Sequence, residues 1–406
     1  MESRNLREML AEAKDTSELM VDLAYAALYF DDADMADEVD ELENEISSLV
    51  HRMRTLCIVA VRNPREAEAM AAVLQVISAL ERIANDAVDI ARIVTRRLGI
   101  PRELVMDLTD AEEISHRVEV AGGSHFANRP VSAFELPVVT GMRIMAIRRA
   151  RSWLVDPGGD EILQSGDVLF LRGSPDGIAR LRELAGAPMW NPPPLVESAV
   201  LTDLDRAVDT LIEMKNLSEV AVGLAYSSLI YRDRSLAAEV RHLEDRLDEM
   251  NHRLELWVLR CATDGADPAP LRGLLHLGAA AEDIGDQARA MVWMIEQSTE
   301  LHPVLGIALG DTDDVVVRMP VGVGAEVHGR TLAELELPIE PGFNVLAIER
   351  EGRYWYRPRK HVDLREGDLV LASGPEEGRS ALAELLGWRY EEDDDGEIEL
   401  SPLSAS

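Results

Sequence analysis

The chain has 406 residues, of which 47% are hydrophobic, enough for two to four domains that each bury a core. Its 75 acidic residues outweigh 41 basic ones, for a formal net charge of −34. Such a surface excludes sequence-independent binding to a phosphate backbone, so nucleic acid is not an expected partner.

Taken in order, the chain is a cassette copied once. Ala24-Tyr25 returns as Ala225-Tyr226, His51-Arg52 as His252-Arg253, Leu136-Pro137 as Leu337-Pro338, and Gly166-Asp167 as Gly367-Asp368, all at an offset of 201. Residues 1–98 read as three helices, the first around 5–30. The second carries Met35, Val39, Leu42, Ile46, Leu49, Met53, Leu56 and Ala60 on one face. The third carries Met70, Val73, Ile77, Leu80, Ala84, Ala87, Ala91 and Val94, behind an Asn63-Pro64 start with Glu66 as its capping carboxylate. Residues 101–187 change to short β runs and helical turns, an α+β module. A proline-rich linker at 188–198 precedes the second copies, helical over 199–300 and α+β over 302–388. In that last module Val315–Val317, Val345–Ile348 and Leu369–Leu371 are the expected strands, Leu332–Leu335 a helical turn and Glu376–Leu386 a closing helix. The tail over 391–406 is acidic and is expected to be disordered. Each three-helix unit has a narrow core, so the two are expected to pack as a pseudo-twofold bundle. The fold class is therefore α+β and multidomain.

Other composition points concern the compartment. Cys57 and Cys261 cannot build a disulfide framework. No apolar run of about 18 residues exists, and the start MESRNLREML lacks a signal peptide's apolar core. A cytoplasmic protein is expected. Lys14, Lys215 and Lys360 are the three lysines. Acid-rich, lysine-poor composition suits a cytosol of molar salt, where the Debye length is about 3 Å, as in a halophilic archaeon. An acidic mesophile protein encoded by GC-rich DNA has the same composition.

Two resemblances rest on motifs. The segments Leu80-Glu81-Arg82-Ile83-Ala84-Asn85 and Ala281-Glu282-Asp283-Ile284-Gly285-Asp286 make the helical halves resemble the PhoU family. Glu336-Leu337-Pro338, Gly342, Val345–Ile348, Pro358 and Gly367-Asp368-Leu369, with the same series at 135–169, make the α+β halves resemble the TrkA-C (RCK-C) domain of potassium-conductance regulators. Full regulators of that kind join this module to a Rossmann domain. Here Gly322 and Gly324 are followed next by Gly329, so GxGxxG is not met and no dinucleotide site is expected.

The resemblances imply two sites. PhoU-like proteins are linked to metal through Glu/Asp-x-x-x-Asp pairs, and Glu244/Asp248 and Glu282/Asp286 have that spacing on single helix faces. All-oxygen ligands would suit a divalent metal such as magnesium, calcium, manganese or iron. The first copy offers Glu43, Ser47, Glu81 and Asn85 instead. The competing reading is a solvated acidic face paired with Arg241 and Arg289. Some TrkA-C domains bind cyclic di-AMP where two modules pair, and here the pair could lie within one chain. That implies a nucleotide ligand at Arg143, Ile147, Arg149 and Pro157 of one module and Asn344, Ile348, Arg350 and Pro358 of the other. The competing reading pairs those arginines with acids such as Asp156 and Glu349.

GxSxG, P-loop, HExxH and CxxC patterns are absent, so the protein is expected not to be an enzyme. The resemblances imply a ligand-sensing regulator of potassium or other cation transport, acting on a separately encoded membrane channel or transporter, as a monomer or a homodimer. The alternative is a metal-binding PhoU-type regulator of phosphate uptake.

Overall fold

In the computed structural model the described residues are 5–101, 104, 113–150, 152–190, 202–297, 301–310, 312–392 and 398–403. They form two compact units, one of helices and one holding both α+β modules. Most of the expected linker lies outside the described residues.

The helical unit contains α1 (Leu6–Phe30), α2 (Ala33–Ala60), α3 (Pro64–Thr95), α4 (Asp203–Tyr231), α5 (Arg234–Thr263) and α6 (Pro268–Glu296). Short polar residues start them. Asn5 and Glu8 close a capping box on α1, and Thr202 and Asp205 close the equivalent one on α4. The Asn63 side chain accepts from the Glu66 amide at 3.1 Å. The expected α3 stripe is buried throughout. The α2 stripe is buried from Met35 to Met53 apart from Leu42, then shifts to Cys57, leaving Leu56 and Ala60 exposed. A heptad spacing drifts about 20° per heptad around a straight helix, so the sequence stripe leaves the contact face near the helix end.

The two bundles form a pseudo-twofold pair. Lys14 and Lys215 are only 2% and 7% exposed. Lys14 Nζ is 2.9 Å from Glu18 and 5.2 Å from the ring centre of Tyr226. Lys215 Nζ is 2.7 Å from Glu219 and 5.4 Å from the ring of Tyr25. Each repeat thus places its ammonium over the other's tyrosine. Burial pushes both phenol pKa values up, so the rings stay neutral. α3 and α6 pack against each other, and Ala84, Ala87, Ala281 and Ala288 along them are buried.

The first α+β module has β1 (Ile114–Glu119), β2 (Met142–Arg149), β3 (Ser152–Val155) and β4 (Val168–Gly173), in sheet order β1-β4-β2-β3. The second has β5 (Asp314–Pro320), β6 (Asn344–Arg350), β7 (Arg353–Tyr356) and β8 (Leu369–Pro375), in the equivalent order β5-β8-β6-β7. Leu332–Leu335 is helical, as expected, capped by Thr331. The closing helix runs over Arg379–Leu385 after a 3₁₀ turn.

The modules touch through the Leu-Pro and Gly positions of their motifs. A Cβ on Gly141 would fall 2.0 Å from the Pro338 carbonyl oxygen, and one on Gly342 2.4 Å from that of Pro137. Both glycines have positive φ, 61° and 90°, so close approach and backbone both require glycine.

The tail differs from expectation. Trp388–Glu392 pairs antiparallel with Ile398–Pro402, so part of the acidic segment is a β-hairpin rather than disordered chain. Its anchor is apolar: Trp388, Tyr390 and Leu400 pack on the second module's core, and Trp388 Nε1 donates to the Pro320 carbonyl at 2.6 Å. Acidic composition hid these three contacts.

Candidate functional site

The arginines expected to meet a nucleotide close the β2 and β6 strand ends instead. Arg149 donates through Nε and Nη2 to the two oxygens of Asp167 at 2.9 and 2.8 Å, and through Nη1 to Glu161 at 2.8 Å. Arg350 donates to Asp368 at 2.7 and 2.6 Å and lies 4.7 Å over the Trp355 ring. Both aspartates are buried, at 2% and 1% exposure, and each also accepts a backbone amide, from Gln164 or Arg365. Burial pushes the Asp167 pKa up, yet the Arg149 and amide hydrogen bonds outweigh it and hold it below the usual value. The Gly-Asp of the repeat motif is thus the acceptor of a buried bidentate latch. Arg149 and Arg350 are each paired within their own modules, to other acids than Asp156 and Glu349. Ile147 and Ile348, expected as apolar walls for a purine, are fully buried core residues. Pro157 and Pro358 are half-buried just after β3 and β7, and Asn344 opens β6.

Arg143 differs. It reaches from the first module to the second, 2.6 Å from Asp313 and 3.6 Å from Asp314, with Asp156 at 3.5 Å. Asn344 replaces it in the second copy, so the two copies differ in charge at this position.

The carboxylates face one another between α5 and α6. Glu244 is 3% exposed and accepts from Arg289 at 2.6 Å through Oε1. Its pKa is raised, first by burial and then by Asp286 and Asp248, against the pull of Arg289. Burial, a hydrogen bond shared with Asp248 and the charges of Asp283 and Asp286 push Glu282 up to about 7. Across the contact with α3, burial and the charges of Asp283, Asp89 and Asp286 push Asp86 up to about 8. The expected four ligands therefore lie as two neighbouring pairs, Glu244 with Asp286 and Asp248 with Glu282. Among the described residues no group of three His, Cys, Asp or Glu side chains is placed to hold a metal ion. Arg289 supplies the positive charge at Glu244, which is the competing reading of this face.

Sequence reasoning passed over the Asp167 and Asp368 acceptors and the Lys14 and Lys215 pair. A signal existed for both. Gly-Asp recurs at the offset of 201, and so do two of the chain's three lysines.

Residues 116–186 and 316–387 match the family model of the TrkA-C domain, and residues 10–94 and 211–292 that of the PhoU domain. No curated protein matches the chain. Among solved structures it is similar to PhoU from Pseudomonas aeruginosa, at 15% identity over 72% of this chain and 96% of that one, with a TM-score of 0.40. The phosphate transport system regulatory protein PhoU from Streptococcus pneumoniae is 12% identical over 73% of this chain and 97% of its own, with a TM-score of 0.40. The GsuK channel bound to NAD is 17% identical over 79% of this chain and 65% of its own, with a TM-score of 0.18. Likenesses this weak carry no argument about this chain.

The latch has a measurable weight. Arg350→Ala leaves Asp368 buried without its partner and is expected to cost about 3 kcal/mol, read by urea unfolding. Arg143→Ala removes solvent-accessible ion pairs to Asp156, Asp313 and Asp314 and is expected to cost less than about 1 kcal/mol. Equal costs for the two variants would contradict the latch.

Proposed function

We propose that this chain, a tandem of two PhoU and two TrkA-C domains, is a cytoplasmic regulator of potassium or other cation transport, acting on a separately encoded channel or transporter. The observation that carries the reading is the completed pair of TrkA-C modules within one chain, joined reciprocally at Gly141–Pro338 and Gly342–Pro137. A ligand or partner that binds one arrangement of that pair better than another shifts its population. No described helix is long and apolar enough to cross a membrane. The motifs retained in both TrkA-C copies favour cation transport over phosphate uptake. The test is rubidium and phosphate uptake in a strain lacking the gene. Rubidium uptake is expected to change while phosphate uptake does not, and Gly342→Val, which blocks the module contact, is expected not to complement. A change confined to phosphate uptake would contradict the reading.

A second reading, a metal-binding regulator of phosphate uptake, draws support from the protons held near neutrality by Glu282 and Asp86. A divalent cation at Glu244, Asp248, Glu282 and Asp286 would favour the charged forms that burial first, and neighbouring carboxylates second, disfavour. On this reading, manganese calorimetry gives one site whose heat varies with the buffer's ionisation enthalpy, lost in Asp286→Ala. Equal heats for wild type and variant would remove it.

A further inference from the structure

The corner between α2 and α3 stands apart from the rest of the helical unit. From 46 to 65 the chain carries Arg52, Arg54, Arg62 and Arg65 and no acid. The next acid, Glu66, caps the corner by accepting from the Arg62 amide at 2.8 Å, which leaves arginine in excess. The corner also exposes aliphatic surface, with Leu56, Ile58 and Val59 at 41%, 70% and 76% exposure. Arg54 is 2.7 Å from Glu81, while Arg52 and Arg62 face solvent.

The second copy provides an internal comparison. Its corner between α5 and α6 keeps the apolar exposure, with Leu256 at 47% and Leu259 at 62%. The charge is reversed. Ser47, Ser48, Arg54 and Asn63 become Asp248, Glu249, Glu255 and Asp264, so 247–266 holds those acids against Arg253 and Arg260. Asp203 and Asp205, at the start of α4, bring negative charge toward Cys261 in this corner. Arg206, paired with Asp203 at 2.9 Å, lies over the Trp257 ring there, so the acids still outnumber the arginines. One repeat has a basic apolar corner and the other an acidic apolar corner.

The two corners cannot meet within one chain. α3 and α6 run antiparallel: Asp86 lies near Asp283 and Asp286, while Gly99, beyond the end of α3, sits against Gly273 near the start of α6. Both corners precede these helices. At about 1.5 Å per residue they are therefore on the order of 60 Å apart.

We infer that the α2–α3 corner of one copy docks against the α5–α6 corner of a second copy of this chain. Ile58 and Val59 meet Leu256 and Leu259, while Arg52 and Arg62 face Glu255 and Asp264. The charge on each copy opposes contact between acidic surfaces, so the opposite signs of the two corners select this pairing. The contact is heterologous. Each added copy leaves one corner of each kind free, and assembly proceeds to a ring or an open chain.

Sedimentation velocity of the full chain, from micromolar to near-millimolar concentration, tests this. The wild type grows beyond a dimer as concentration rises, and less so in molar salt, where screening removes the charge attraction. Ile58→Glu with Val59→Glu blocks one corner, and Leu256→Glu with Leu259→Glu blocks the other. All four positions are exposed, and circular dichroism checks that the variants melt as wild type does. Each double variant alone is monomeric. Their equimolar mixture forms dimers that grow no further, because one corner of each kind remains. Should either variant misfold, Arg52→Glu with Arg62→Glu serves instead, lowering association at least tenfold. A wild type that stays monomeric overturns the inference, and so does a mixture that stays monomeric. A third overturning result is binding of a monomeric wild type to phosphatidylglycerol vesicles, lost in Ile58→Glu with Val59→Glu, which would assign the basic corner to a membrane.

Discussion

A buried lysine from each repeat rests over a buried tyrosine of the other, and the rest of the helical unit is arranged around that exchange. An ammonium out of water is costly unless it is paired and hydrogen-bonded. Lys14 and Lys215 each have a glutamate one turn along their own helix, but the ring that covers each comes from the opposite repeat. A single three-helix bundle could not complete the environment of its own lysine. In a chain whose other basic residues are almost all arginine, two of the three lysines occupy these equivalent positions. A compact ammonium fits over a ring in a narrow helical contact where a planar guanidinium would need more room and more acceptors.

The same logic of exchange joins the sheet modules through different chemistry. There the constraint is steric: the Leu-Pro turn of each module sits against a glycine of the other, at a distance no Cβ would allow. Duplication within one chain fixes the pair's stoichiometry and frees the two copies to diverge. Arg143 bridges the modules from one side while Asn344 stands at the equivalent place, and the acidic ladder between α5 and α6 has a less acidic counterpart between α2 and α3. Pairing is symmetric in its core, and chemistry is asymmetric at its edges.

Much of the fold was legible because periodicity reports burial. The α3 stripe, the Leu332–Leu335 turn and the central strands follow from spacing alone. Partners were less legible, because spacing does not say which acid an arginine will find. Asp167 and Asp368 lie 18 residues beyond their arginines, brought close only by the antiparallel pairing of β2 with β4 and β6 with β8. Ile147 and Ile348 alternate correctly along their strands, but the face they share is the module's own core. Leu56 kept its heptad place in sequence and lost it in space, where the drift of the stripe turned it to solvent. That Glu244 pairs with Arg289, and that burial beside other carboxylates raises Glu244 and Glu282, depended on side-chain detail that spacing does not give.

The reciprocal lysine–tyrosine exchange can be measured directly by two double-mutant cycles in the full chain, Lys14→Met with Tyr226→Leu and Lys215→Met with Tyr25→Leu, read by urea unfolding. The account predicts a coupling of about 1 kcal/mol in each cycle, with the same sign. Additive effects in both cycles, with couplings below about 0.3 kcal/mol, would contradict it.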